Sequence, residues 1–139
     1  MKIKELVARK IKDSRGEETI EVLVNKCRAS SPSGKSTGKH ETKPYRNSID
    51  WNIEFLNNLK IDFEIKKFED LEKVEKLIKE KAGLADVKEF GANALFAFES
   101  AILKALAKSK KKELWEVVDF RAGKQGFPRL VGNVIGGGM

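Results

Sequence analysis

The stretch that most constrains the fold runs from residue 91 to residue 107, where apolar side chains cover almost the whole circumference of a helix. The apolar positions are Ala92, Ala94, Leu95, Ala97, Phe98, Ala101, Ile102, Ala105 and Leu106. A helix that is apolar on every side must be enclosed by other elements. The sequence therefore predicts a buried central helix. The lysines that follow, Lys108 and Lys110–Lys112, lie where cations favour a helix C-terminus, so they do not require nucleic acid.

Two strands joined by a tight turn precede this helix. Ile3, Val7 and Ile11 share one side of an extended segment over residues 3–11. The turn that follows contains Gly16, which can adopt a positive φ, and residues 19–24 form a β-branched and aliphatic run typical of a strand. These patterns predict a β-hairpin.

Helical periodicity returns after residue 50. One helix is predicted over residues 51–60, a second over residues 71–82 with its end at Gly83, and a short last helix over residues 113–118. Strands followed by helices indicate an α+β fold in which helices pack on an antiparallel meander.

Composition limits the class of protein. The chain has 139 residues and 28 Lys plus Arg against 21 Asp plus Glu, which gives a net charge of +7. This length favours one domain over residues 1–139. The single cysteine, Cys27, excludes an intrachain disulfide, and no signal peptide or membrane span is recognisable, so we expect a soluble, cytoplasmic protein. Heavy use of Lys and Glu suits a thermophilic source.

Residues 29–36 read Ala-Ser-Ser-Pro-Ser-Gly-Lys-Ser, which is close to a phosphate-binding P-loop. In a working P-loop the Lys-Ser pair opens a helix. Here Gly38 and Pro44 follow without apolar periodicity, so no helix is expected. We interpret this segment as a mobile, basic, hydroxyl-rich loop. His40, the only histidine of the chain, lies in the same polar surroundings.

Five motifs in one order resemble the N-terminal domain of the enolase family. They are A-R-K-I-K-D-S-R-G at 8–16, T-I-E-V at 19–22, P-S-G-K-S-T-G-K-H-E at 32–41, G-A-N-A at 91–94 and N-V-I at 133–135. The resemblance spans the whole chain. It implies an α+β fold with a three-stranded antiparallel β-meander followed by a helical bundle.

The resemblance also implies roles for individual residues. In enolases a loop closes over the active site, and its matching residues are Ser33, Gly34, Lys35, Ser36, Thr37 and Gly38. Ser36 matches the ligand of the second Mg²⁺, and His40 matches the loop histidine. Arg15 and Glu21 match positions that form ion pairs across a homodimer interface. Lys35 replaces an alanine of the family and should weaken Mg²⁺ binding, because it places a cation beside Ser36.

Enolases, which act in glycolysis, convert 2-phosphoglycerate to phosphoenolpyruvate with a lysine base, a glutamate and two Mg²⁺ ions. The resemblance implies that these groups lie in a C-terminal barrel of about 250 residues. Residues 123–139 form a Gly-rich tail at the position of the junction to that barrel. We therefore expect a lid and dimerisation domain that is not catalytically competent alone. It would act through a protein partner or as a homo-oligomer, and it would bind Mg²⁺ only together with a barrel chain.

Two alternatives stay open. The chain could be one piece of a split, Mg-dependent enolase that a separate barrel chain completes. It could instead be a basic nucleic-acid-binding module, although it has no aromatic platform and no basic recognition helix. A membrane partner is not expected.

Overall fold

The computed structural model describes residues 1–32 and 38–118, in which a three-stranded sheet precedes four α-helices. The elements are β1 (Leu6–Lys12), β2 (Glu18–Val24), β3 (Cys27–Ser30), α1 (Ile49–Asn58), α2 (Leu71–Ala82), α3 (Ala92–Lys110) and α4 (Leu114–Val118), with 3₁₀ turns at Phe68–Asp70 and Val87–Phe90. The strands pair antiparallel in the order β1-β2-β3. The predicted α+β fold with an antiparallel meander is confirmed. The predicted Gly-rich tail at 123–139 lies outside the described residues.

One face of the sheet is buried against α3. Ile20, Val22 and Val24 of β2 alternate along this face and have no exposed surface. Their side chains meet α3, which contacts both β2 and β3. Because successive side chains of a strand point to opposite faces, this burial sets the orientation of the whole sheet.

The side of β1 that faces the core is not the side that carries Val7 and Ile11. Ala8 lies opposite Val22 in the sheet and is buried with it, whereas Val7 is 42% exposed. Residues that lie opposite each other in a sheet point to the same face, so the register with β2 sets the orientation of β1. The side that carries Val7 and Ile11 therefore faces away from α3. The small Ala8 therefore makes the core contact at this point of the strand.

The free edge of β1 is covered by α1. The side-chain amide of Asn57 donates to the carbonyl oxygen of Ala8 at 3.1 Å and accepts from its N–H at 2.7 Å. The helix begins after Ser48, whose hydroxyl accepts from the N–H of Trp51 at 3.1 Å. The amide of Asn57 thus forms the two hydrogen bonds that a neighbouring strand would form with Ala8, whose backbone groups would otherwise be unpaired at the edge of the sheet.

The central helix α3 is buried as predicted. Its enclosed residues are Ala94, Ala97, Phe98, Ala101, Ile102, Ala105, Leu106 and Ala107. The predicted end of α2 is also confirmed, because Gly83 follows it with a φ of 63°. Within the described ranges, none of the helices combines the length and the apolar character that crossing a lipid bilayer requires.

Candidate functional loop

The first end of the loop that follows β3 is fixed to β2. The N–H of Ser31 donates to the carbonyl oxygen of Ile20 at 3.2 Å. The hydroxyl of Thr19 donates to the carbonyl oxygen of Ser31 at 2.8 Å, and both residues are buried. The hydroxyl of Tyr45, from the other end of the loop, lies 3.4 Å from that of Thr19. Thr19 therefore contacts both ends of the loop.

The second end of the loop is fixed to the start of α3. The N–H of Ala92 donates to the carbonyl oxygen of Lys43 at 2.8 Å, and the N–H of Asn93 donates to that of Pro44 at 3.0 Å. The first N–H groups of a helix have no partner within the helix. Here the loop backbone supplies the acceptors, since no side chain caps α3.

Gly91 allows this close approach. Its φ is 105°, and a Cβ atom at this position would lie 2.5 Å from the Cα of Tyr45 and 2.7 Å from the carbonyl oxygen of Pro44. Both the backbone conformation and the space demand glycine. This geometry explains the first three residues of the G-A-N-A motif, because Gly91, Ala92 and Asn93 are the residues of α3 and its start that contact the loop backbone.

A buried asparagine joins the loop to the rest of the domain. Asn52 of α1 has no exposed surface, and its amide nitrogen donates to the carbonyl oxygen of Phe90 at 2.8 Å. Its amide oxygen accepts from the N–H of Arg46 at 3.1 Å. Sequence reasoning did not single out this residue. The available signal was a polar residue beside Trp51 and one turn before Leu56, on a helix face that should be apolar.

The predicted site residues divide into two groups. Ser33, Gly34, Lys35, Ser36 and Thr37, and with them the predicted Mg²⁺ ligand, lie outside the described residues. Gly38 and His40 are described and exposed, and the N–H of Glu41 donates to the carbonyl oxygen of Gly38 at 3.1 Å. The role of His40 stays a prediction.

The predicted interface residues have partners within the chain. Glu21 pairs with Arg9, whose Nη2 lies 2.7 Å from its Oε1. The Nη2 atom of Arg15 lies 3.4 Å from a carboxylate oxygen of Glu17 and 3.6 Å from one of Asp13. The two residues thus belong to different ion pairs, one on the outer face of the sheet and one in the hairpin turn. Their role in a dimer stays a prediction.

A complete metal site is not formed by the described part of the chain. Over residues 1–32 and 38–118, no three His, Cys, Asp or Glu side chains are grouped so that they could hold an ion. Mg²⁺ requires near-octahedral coordination by oxygen. The described donor set therefore does not fit this ion by itself.

These features define an α+β domain that holds a loop at both ends between its sheet and its central helix. The sequence profile described as "Enolase, N-terminal domain" matches residues 3–118. The chain belongs to this family, and the resemblance inferred from its motifs is confirmed.

Full-length relatives extend the comparison. The enolase of Thermoplasma acidophilum is 34% identical over an alignment that covers 98% of this chain and 35% of the relative. The enolase of Ehrlichia ruminantium strain Gardel is 33% identical and is aligned over 100% of this chain and 36% of its own length. The chain thus spans about a third of the length of these relatives.

Proposed function

We propose that this chain provides the lid and a subunit-contact surface of an enolase-type site, and that a barrel supplies the catalytic groups. The observation that carries the proposal is the attachment of the loop at both ends, to β2 through Ser31 and to α3 through Lys43 and Pro44. A loop that closes over a reaction needs rigid supports on either side, so that the residues between them take up a defined position. The setting we infer is cytoplasmic and glycolytic.

We further propose that the 139-residue chain has no turnover of 2-phosphoglycerate by itself. Removing a proton next to a carboxylate requires a positioned base and stabilisation of the negative charge that develops. Family resemblance assigns these groups to the barrel. Mg²⁺, when bound jointly by Ser36 and a barrel, would supply that charge stabilisation.

Reconstitution tests this proposal. The chain is mixed with the remainder of the Thermoplasma acidophilum enolase from which the matching region has been deleted. Binding is measured by calorimetry and phosphoenolpyruvate formation by absorbance. We expect binding, and no turnover by either component alone. Absence of binding to this barrel and to that of the Ehrlichia ruminantium enolase would contradict the proposal.

Turnover in the mixture would favour the split-enolase alternative over an inactive lid. In that case Ser36→Ala should lower the rate at least tenfold, which corresponds to about 1.4 kcal/mol of transition-state stabilisation. Ser14→Ala, at an exposed position of the hairpin turn, is the matched control and should leave the rate unchanged. Equal rates in both variants would remove the role proposed for Ser36.

The predicted subunit contact is tested separately. If Arg15 and Glu21 form ion pairs with a second subunit, Arg15→Ala and Glu21→Ala should each weaken association measured by sedimentation equilibrium. Glu18→Ala is the control, because this carboxylate also has a partner within the chain, the ammonium of Lys10 at 3.2 Å, but the family resemblance does not place it at the interface. Unchanged association in both variants would exclude these residues from the contact.

A further inference from the structure

A groove of about 510 Å³ lies between the turn Phe68–Asp70, α2 and α3. It is separate in its lining from the loop discussed above. Apolar side chains, including Phe68, Phe96 and Leu103, form part of its walls. Its charged lining within the described residues consists of four glutamates, Glu69, Glu72, Glu75 and Glu99.

Two phenylalanines at this groove are unusually exposed. Phe96 belongs to the central helix α3, yet 53% of it is accessible, and Phe68 is 39% exposed. Exposed aromatic side chains beside a concave surface are typical of sites that bind another protein, because association removes their apolar area from water.

The charge of the groove is opposite to that of the chain. The chain carries a net charge of +7, but no lysine or arginine is among the described residues that line this groove. The nearby ammonium of Lys73 pairs instead with Asp70 at 2.7 Å. A local acidic surface on a basic protein favours a cationic partner, because opposite charges attract across an interface.

The carboxyl of Glu99 is buried in the groove without a cation from the described part of the chain beside it. Its Oε1 atom is buried and lacks a basic or backbone donor among the described residues, and the side-chain hydrogen-bond partner of Glu99 is the carboxyl of Glu75. A buried carboxylate oxygen without such a donor destabilises the folded protein, because burial has removed its hydrogen bonds to water. Burial and the neighbouring carboxyl of Glu75 also raise the pKa of Glu99 to about 8. A cation placed beside Glu99 would donate a hydrogen bond to this oxygen and would stabilise the ionised form of the carboxyl.

We propose that this acidic groove binds a basic amphipathic segment of a partner protein, with Phe68 and Phe96 against its apolar side chains and Glu99 paired with its Lys or Arg. Helices that carry apolar residues on one face commonly dock in grooves of this kind. The glutamates beside Glu99 favour a segment with several cations. This site does not depend on the enolase reaction or on the loop.

A pair of synthetic peptides provides the test. The first is an amphipathic helix of Leu and Lys, about four turns or about 14 residues long. The second has the same pattern with Glu in place of Lys. Fluorescence anisotropy with the 139-residue chain should show binding of the Lys peptide at least tenfold tighter than that of the Glu peptide. Equal affinities would overturn the proposal.

Variants locate the binding. Glu99→Gln and Phe96→Ala should each lower the affinity for the Lys peptide at least tenfold. Glu54→Gln, on the exposed side of α1, and Trp115→Ala, at a side chain that is 52% exposed outside the groove, are matched controls and should bind normally. Circular dichroism checks that each variant is folded, and Phe68→Ala replaces Phe96→Ala if the latter is not. Unchanged affinity in the groove variants would overturn the proposal.

The pH dependence provides an independent readout. Glu99 must lose its proton to pair with a cation, so affinity should rise between about pH 6 and pH 8.5. Glu69, Glu72 and Glu75 remain in the Glu99→Gln variant, as does the Lys73–Asp70 pair, so the difference between the two proteins isolates Glu99. The same slope in both proteins would contradict the proposed pairing. Self-association that Phe96→Ala abolishes, without peptide binding, would assign the groove to a second copy.

Discussion

Asp70 is held by three donors just before α2 begins. Its carboxylate accepts from the N–H groups of Lys66 at 2.8 Å and Lys67 at 3.2 Å, and from the ammonium of Lys73 at 2.7 Å. The side chain is only 6% exposed. The Lys73 ammonium, and next the N–H of Lys66, lower the pKa of Asp70 to about 2. A charged group with this many partners stabilises the turn that leads into α2.

We expect Asp70→Asn to lower the free energy of unfolding by about 1–2 kcal/mol at neutral pH, a value reduced because Lys73 is largely in water. The folded pKa lies below the ordinary value of 3.8, so the contribution is present above about pH 4 and is lost as the pH falls through 2. Urea unfolding at neutral and acidic pH measures it. Asp62→Asn, at an exposed position, is the control. An equal effect of both variants would show that the three donors contribute nothing.

At the scale of elements, the join between the loop and α3 depends on two local conditions at Gly91. Its φ is positive, and the backbone of Tyr45 occupies the space of a Cβ atom. Gly83, at the end of α2, meets only the first condition, because its φ is 63° and nothing lies within 4 Å of a Cβ built there. The two glycines therefore separate the cost of backbone conformation from the cost of contact.

Gly83→Ala should reduce the free energy of unfolding by about 1 kcal/mol, the cost of a left-handed conformation for alanine. Gly91→Ala should cost about 3 kcal/mol or more, because the loop must also move away from α3. Denaturant unfolding of both variants measures the difference. An equal loss of unfolding free energy in both variants would show that the loop accommodates a methyl group, and that its backbone is not closely packed against the start of α3.

The positions of the helices and strands were predicted better than the contacts between them. The helix that became α3 and the end of α2 depend on apolar spacing and on one glycine, which are local properties. The sequence did not indicate which side of β1 is buried, because that depends on its register with β2. In the candidate loop, the motifs identified Gly38 and His40, but the contacts that hold the loop became visible only when residues distant in sequence were brought together.

At the scale of the whole molecule, Glu99 makes stability depend on pH. Burial and the carboxyl of Glu75 raise its pKa in the folded protein from 4.5 to about 8. Its folded pKa is the higher one, so the folded state is favoured at low pH, and this advantage is lost as the pH rises from about 4.5 to 8. The direction is opposite to that of Asp70, whose contribution is lost in acid.

We expect the free energy of unfolding to fall by about 1–2 kcal/mol between pH 5 and pH 8, after allowance for the part of Glu99 that water reaches. Glu99→Gln should flatten this decline, since the amide does not ionise. Thermal and urea unfolding across this range measure the slope. Glu54→Gln serves as the control and should keep the slope of the unmodified chain. The same decline in Glu99→Gln would exclude Glu99 as its source.

The sequence by itself determined the order of strands and helices, the burial of α3 and the family, because periodicity, turn residues and motif spacing are properties of neighbouring positions. Tertiary structure alone decided which side of β1 is buried and what holds the loop. Asn52 meets Phe90 across 38 positions, and Ala8 meets Asn57 across 49. Glu99 likewise acquires its acidic and apolar surroundings only when α2 packs beside α3. Such partners depend on which distant segments the hydrophobic core brings together.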